Sequence, residues 1–231
     1  MPLYRHLFFD LDHTLWDFER CSGETLEELF HEYQMESLGD VCAQSFVSTF
    51  RTINRNLWLQ YGTGQISQQQ LRDSRFVLVM NELGLPETDI PASLTEQYMI
   101  RCSRKPYLQP YAREVLDYLR HKYTLHILTN GFDDVQMIKM QSSGITDYFS
   151  QIITAQKAGC YKPDGRIFNY SLQQAAADTT TSLMIGDSLE ADVIGAQKAG
   201  MDQVFYNFEG VEHTEKPTYE ITCLSELMNI L

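Results

Sequence analysis

Residues 7–15 read LFFDLDHTL. Leu7, Phe8 and Phe9 make a short apolar run of the kind that forms a buried strand, and at its end two carboxylates follow two positions apart, Asp10 and Asp12. That pattern constrains everything downstream. Burying an unpaired carboxylate is costly and two close together repel, so the pair requires a cation, a shared proton or solvent at a sheet edge. An open parallel α/β sheet gathers its ligands outside the carboxyl ends of its strands, which is where this pair falls. The first expectation is a nucleophile and an acid/base residue on one strand end, with a metal ion beside them.

From about Asp17 to Arg104 the chain changes character and reads as one helix after another. Leu26, Leu29, Phe30 and Tyr33 form one stripe at helical spacing, and Phe46, Phe50, Ile53 and Leu57 form a second, broken at Gly62 and Gly64. Ser67 with Gln70 has the spacing of a capping box, opening a helix that carries Phe76, Val79 and Leu83, with Leu71 and Leu78 beside them. Gly84 and Pro86 stop it, and a further helix follows Pro91, with Leu94, Tyr98 and Met99 as its inner face. From Pro110 onward strands and helices alternate as in a parallel sheet with crossover helices. Strands are expected at 125–129, 151–154, 183–185, 203–206 and 219–222, and helices at 111–123, 133–143, 166–177, 189–199 and 225–231. The expected fold is α/β, a doubly wound parallel sheet built from residues 1–16 and 105–231, with residues 17–104 inserted as a helical bundle. No internal repeat or low-complexity segment competes with that reading.

Composition narrows the partners. Of 231 residues 43% are hydrophobic, and a formal charge of −13 without a basic cluster argues against a nucleic-acid surface. An acidic chain binds phosphate through a metal ion and a few well-placed donors, so a small phosphorylated metabolite is expected rather than a long polyanion. Five scattered cysteines with no CxxC pair suggest neither a disulfide framework nor a zinc site. No apolar run approaches the roughly 18 residues of a membrane span and no signal-peptide pattern opens the chain, so a soluble, cytoplasmic monomer or homodimer is expected.

Three later strand ends carry polar groups of their own. Thr129, Asn130 and Gly131 offer a hydroxyl, an amide and a close backbone approach to one phosphate, or alternatively an ordinary Asn-Gly turn. Lys162, before Pro163 and Asp164, suits phosphate oxygens or the balancing of aspartates, unless it is a solvated surface lysine. In LMIGDSLEAD, Asp187 pairs naturally with Asp10 as a magnesium ligand, since Mg²⁺ takes hard oxygens and few protein carboxylates. The competing reading of Asp187 is a helix N-cap, and Asp192 is expected to support the lysine and its loop rather than bind metal. All four stations fall at or just beyond the expected carboxyl ends of strands in one sheet, which makes coincidence the poorer account.

Together DLDHT at Asp10–Thr14, Thr129 with Asn130 and Gly131, Lys162 before Pro163, and GDSLEAD at Gly186–Asp192 resemble the four signatures of haloacid-dehalogenase-type phosphohydrolases. The resemblance implies a Rossmann-like catalytic core, with residues 17–104 as that family's helical cap. It implies that Asp10 attacks phosphorus and becomes a phosphoaspartate, and that Asp12 protonates the leaving alcohol and then deprotonates the hydrolytic water. Thr129, with Asn130 and Gly131, would hold the phosphoryl oxygens and Lys162 would neutralise charge. Mg²⁺ would be held by the Asp10 carboxylate, the Asp12 backbone carbonyl and Asp187. The acid role requires a protonated Asp12, so its pKa is expected to be raised by burial and by the Asp10 carboxylate. The family's dehalogenases lack an acid at the place of Asp12, whereas phosphoglucomutase-like members share all four stations. NRNLWLQYGTGQIS at Asn54–Ser67 and LTNGF at Leu128–Phe132 are similar to bacterial pyrimidine 5'-nucleotidases, implying nucleoside 5'-monophosphates as substrates. Trp58 is expected to pack the bundle, while Tyr61, Arg75 and Phe132 either pack or meet a base. Phosphosugar phosphatase and mutase activities, and a non-catalytic phosphate-binding module, are the alternatives.

Overall fold

The computed structural model describes residues 4–231. The chain divides into two compact units, Met1–Phe18 with Pro106–Leu231, and Glu19–Lys105. It enters the first unit through β1 (His6–Phe9) and then leaves it for a run of helices, α1 (Phe18–Glu32), α2 (Ala43–Gly62), α3 (Gln68–Glu82) and α4 (Leu94–Ser103). The capping box at the start of α3 forms in both directions: the Gln70 backbone N–H donates to Ser67 Oγ at 3.2 Å, and the Ser67 N–H to Gln70 Oε1 at 2.8 Å.

The helical unit packs around aromatic rings that the stripes bring together. Phe50 lies 5.5 Å from Phe76 and 4.9 Å from Tyr98, and Phe46 stacks on Phe76 at 6.2 Å. Two stripes differ from the sequence reading. Ile53 is only half-buried and Leu78 is exposed, while Asn54 and Arg75 occupy buried positions. The Arg75 guanidinium lies 5.5 Å from the Phe50 ring centre and 5.6 Å from that of Tyr98, so the aromatic faces supply the attraction that lets a cation enter this interior. Trp58 packs edge-on against buried Tyr61, with ring centres 5.6 Å apart.

The first unit is a six-stranded sheet completed by β2 (Thr124–Thr129), β3 (Phe149–Thr154), β4 (Ser182–Gly186), β5 (Asp202–Tyr206) and β6 (Tyr219–Ile221). Every pairing is parallel, in the order β3-β2-β1-β4-β5-β6. The crossovers carry α5 (Ala112–Leu119), α6 (Asp133–Ser142), α7 (Ala155–Ala158), α8 (Gly165–Ala175), and a wide-wound turn at Leu189–Ile194 that continues into α9 (Gly195–Lys198). Each expected strand forms, generally a residue or two longer than read. The helix expected over 111–123 is shorter: Tyr111, with a left-handed φ of 65°, lies outside its N-terminus, and the helix already ends at Leu119.

Phe8, Leu128 and Met184, from three adjacent strands, pack with Ile167 and Phe168 of α8, all fully buried. Each such side chain contributes roughly 1.5–3 kcal/mol through its removal from water. The functional consequence lies in the strand order. The chain steps from β1 outward to β3 and then crosses to β4 on the opposite side of β1, so the direction of winding reverses between β1 and β4. Their carboxyl ends therefore flank the crevice in which doubly wound sheets bind ligands.

Candidate active site

Asp10 sits at that reversal. Its N–H continues the β1 ladder by donating to the Ile185 carbonyl of β4 at 2.9 Å, so the residue is held by the sheet itself. Beyond it the chain turns tightly: His13 takes a left-handed φ of 65°, and the N–H groups of Leu15 and Trp16 both return to the Leu11 carbonyl. The turn brings Thr14 onto the end of β4. Thr14 Oγ1 donates to Asp187 Oδ1 at 2.8 Å and accepts from the Asp187 N–H at 3.1 Å. That reciprocal pair binds the first and last stations together.

Lys162 reaches the centre of the cluster. It is 3% exposed, and its ammonium donates to Asp10 Oδ1 at 2.6 Å, Asp192 Oδ1 at 2.6 Å and the Leu128 carbonyl at 2.8 Å. Three hydrogens therefore meet three acceptors, and the surface-lysine reading is excluded. Its backbone is clamped by Asn130, whose Oδ1 accepts the Lys162 N–H at 2.8 Å while Nδ2 donates to the Lys162 carbonyl at 3.0 Å. The Asn130 side chain, expected to meet substrate, thus spends an acceptor and a donor on the lysine loop. Asp192 is 1% exposed and has both carboxylate oxygens engaged, one by Lys162 and the other by the Ser188 N–H at 3.0 Å. A Cβ on Gly186 would come within 2.1 Å of Asp192 Oδ2, so only glycine at the end of β4 admits that carboxylate.

Oxygens of Asp10, Asp187 and Asp192 lie within 4.8 Å of one another. Three carboxylates and one ammonium leave two negative charges in a buried space. Burial, ahead of the countering Lys162 charge and the repulsion of Asp192 and Asp187, pushes the Asp10 carboxyl up to about 8. Burial and then the Asp192 charge push Asp187 up to about 7, against the hydrogen bond from Thr14. A divalent cation matches this donor set in charge and in hardness. Asp10 and Asp187 fit it best, because Asp192 is committed to Lys162 and Ser188.

Asp12 behaves differently from its sequence-based expectation. Burial does push its carboxyl upward, but the Lys139 ammonium on Oδ1 at 2.6 Å and the Gln136 amide on Oδ2 at 3.0 Å outweigh that and hold it below the ordinary aspartate range. The Asp10 carboxylate, expected to raise it, is not among the charges that act most on it. Lys139 is itself buried and stacks over the Trp16 ring, 4.6 Å from its centre. Thr129 closes the site at the end of β2, with Oγ1 accepting from the Gly131 N–H at 3.1 Å and from Gln136 Nε2 at 2.8 Å.

Gln136 and Lys139 lie on α6, which the sequence presents only as a crossover helix. The available signal was their i,i+3 spacing with Met140, which places all three on one buried face. Phe132, at the start of that helix, is buried.

A doubly wound sheet with an aspartate cluster and a buried lysine at its reversal point is a site suited to a hydrolase that handles phosphate. The chain belongs to the haloacid dehalogenase-like hydrolases, whose family model matches residues 7–206, and is a phosphatase of that family. It is 32% identical over 232 residues to pyrimidine 5'-nucleotidase PynA of Streptococcus pneumoniae, covering 99% of this chain and 95% of that protein. Pyrimidine 5'-nucleotidase YjjG of Escherichia coli is 30% identical over 228 residues, or 97% and 96% of the two chains. The magnesium-bound crystal structure of YfnB from Bacillus subtilis matches with a TM-score of 0.86 at 29% identity, over 98% of both chains. Among the described residues no helix is long and apolar enough to cross a membrane.

Proposed function

We propose that this phosphatase is a Mg²⁺-dependent phosphomonoesterase that acts through a phosphoaspartate on Asp10, with nucleoside 5'-monophosphates, pyrimidine ones foremost, as substrates. The observation that carries the chemistry is the convergence of Asp10, Asp187 and Asp192 at the β1–β4 reversal, with Lys162 bridging Asp10 and Asp192. The substrate class rests on the names of the two nucleotidase relatives.

Asp10 Oδ1 is engaged by Lys162, which leaves Oδ2 to attack phosphorus. The bond from phosphorus to the ester oxygen breaks as the new bond forms, and Asp12 delivers a proton to the departing alkoxide. Water then attacks the acyl phosphate, Asp12 takes its proton, and the bond from phosphorus to Asp10 breaks to restore the carboxylate. The ionised Asp12 favoured by Lys139 and Gln136 is the form suited to this second step. For the first step it must carry a proton, and an arriving phosphate dianion raises its proton affinity by adding negative charge nearby. The Thr129 hydroxyl and the backbone that follows it donate to the phosphoryl oxygens. Asp10, Asp187 and the Asp12 backbone carbonyl would hold Mg²⁺, which would neutralise charge developing on the transferred phosphoryl group. Five free cysteines suit a reducing, cytoplasmic setting.

The deciding experiment measures inorganic phosphate released from a panel of nucleoside monophosphates and phosphosugars, with Mg²⁺ or with EDTA, for the parent and Asp10→Asn. Pyrimidine nucleotides turned over only by the metal-loaded parent are expected. Turnover that survives both chelation and the substitution sinks the mechanism, and a preference for phosphosugars sinks the substrate assignment.

A further inference from the structure

Gln136 occupies an expensive position. It is 1% exposed, and among the described residues its buried Oε1 has no hydrogen-bond partner, a state that an apolar side chain of the same size would avoid. Its Nε2 has two hydrogens and two acceptors, Asp12 Oδ2 at 3.0 Å and Thr129 Oγ1 at 2.8 Å. The reverse orientation of the amide is excluded, because it would set Oε1 against the Asp12 carboxylate, acceptor against acceptor. Gly131 is what permits the bridge: a Cβ there would lie 2.2 Å from Nε2.

The bridge determines what the Thr129 hydroxyl can do. An alcohol oxygen has two lone pairs and one hydrogen. Both acceptor positions of Oγ1 are filled, one by the Gly131 N–H and one by Gln136, so the hydrogen is the part left to be given away. Among the described residues no acceptor takes it. Remove the Gln136 donor, and the hydroxyl can rotate to other partners.

We propose that Gln136 is a positioning residue that turns the Thr129 hydroxyl outward as a dedicated phosphoryl donor and, with the same amide nitrogen, holds Asp12 in register with it. Phosphate grip and proton transfer are thereby coupled through one side chain that touches neither substrate nor metal. The inference rests on the phosphatase reading above and adds a residue that lies outside all four sequence stations.

The test uses Gln136→Met, which keeps length and bulk and removes the donor, in the full chain with Mg²⁺. Melting temperature, orthophosphate affinity by calorimetry, and kcat and KM on p-nitrophenyl phosphate are measured, with Thr129→Val as the second arm of a double-mutant cycle. The variant should melt at or above the parent. Orthophosphate should bind about tenfold more weakly, the loss of one hydrogen bond to a charged group. Turnover should fall about 10- to 100-fold, as expected when reacting groups are misplaced, and KM should rise in step with the weakened orthophosphate. In the Thr129→Val background Gln136→Met should cost no further phosphate affinity, since the hydroxyl it orients is gone. Gln136→Glu, whose carboxylate accepts from the Thr129 hydroxyl and turns it inward, should weaken phosphate at least as much. Parent-like phosphate affinity and turnover in Gln136→Met overturn the proposal, and so does a collapse of its melting temperature, which marks a structural residue. If the parent hydrolyses no phosphomonoester while Gln136→Met still loses orthophosphate, the positioning role stands and the functional reading falls. A parent that binds no orthophosphate refutes both.

Discussion

Replacing Lys162 by methionine removes the one ammonium that the aspartate cluster surrounds. In the parent that group is 3% exposed and makes hydrogen bonds of 2.6, 2.6 and 2.8 Å to Asp10, Asp192 and the Leu128 carbonyl. Its own proton affinity is raised above the ordinary lysine value: burial opposes the charge, and the two aspartates more than compensate. The substitution leaves two buried carboxylates and a carbonyl without their donor. Breaking such a pair from one side costs about 3–5 kcal/mol. For a chain of this length that corresponds to a fall in melting temperature of about 6–20 °C. The assay is thermal unfolding followed by circular dichroism, in EDTA at about pH 8, where the orphaned carboxylates are driven to ionise. At about pH 5.5 the deficit should shrink, because they can take up protons. Adding Mg²⁺ at the higher pH should restore part of the loss by supplying a different cation. A variant that melts within about 2 °C of the parent in EDTA at pH 8, less than the equivalent of 1 kcal/mol, would refute the claim that Lys162 neutralises this cluster.

Two further outcomes follow from the same electrostatics. Asp10 and Asp187 are raised in the folded protein to about 8 and about 7, above the ordinary unfolded value near 4. Carboxyls shifted that way favour folding below about pH 4, and their contribution is lost as pH rises through 7 to 8. Mg²⁺ should therefore raise the melting temperature more at pH 8 than at pH 5.5, and equal shifts at the two pH values would contradict the assignment of these aspartates to the cation. In the helical unit, Arg75 is buried, and among the described residues its Nε has no hydrogen-bond partner and Nη1 has only the Met99 sulfur, at 3.9 Å. Arg75→Met should leave the melting temperature unchanged or raise it, and a fall of more than about 4 °C, equivalent to 1 kcal/mol or more, would show that the aromatic contacts outweigh the cost of burying the charge.

Much of this site is readable from order and spacing alone. An apolar run that ends in two aspartates reads as a strand meeting a ligand crevice, and the Thr129 and Asp187 stations fall at strand ends of the same sheet, with Lys162 in the loop that follows β3 and α7. What the sequence reading missed lies on helices. Gln136 and Lys139 are residue types that normally face water, and only their helical spacing with Met140 hints at the buried face of α6 that holds them. Their burial depends on a partner far away in the chain, Asp12, whereas Arg75, read as packing or meeting a base, lies against the Phe50 and Tyr98 rings. The Asp12 proton affinity was misjudged for the same reason. The expectation weighs burial and the neighbouring Asp10 carboxylate, while Lys139, 127 positions distant, sets the sign.

The central claim is that Asp10 itself carries the phosphoryl group. Full-length protein with Mg²⁺ and a pyrimidine nucleoside 5'-monophosphate is quenched in acid during turnover, reduced with borohydride and digested for mass spectrometry. Reduction converts an acyl phosphate of aspartate to homoserine, so the account predicts homoserine at position 10 and at no other aspartate. Its appearance at another aspartate, or its absence from position 10 while turnover is under way and a known phosphoaspartate is trapped under the same conditions, contradicts the account.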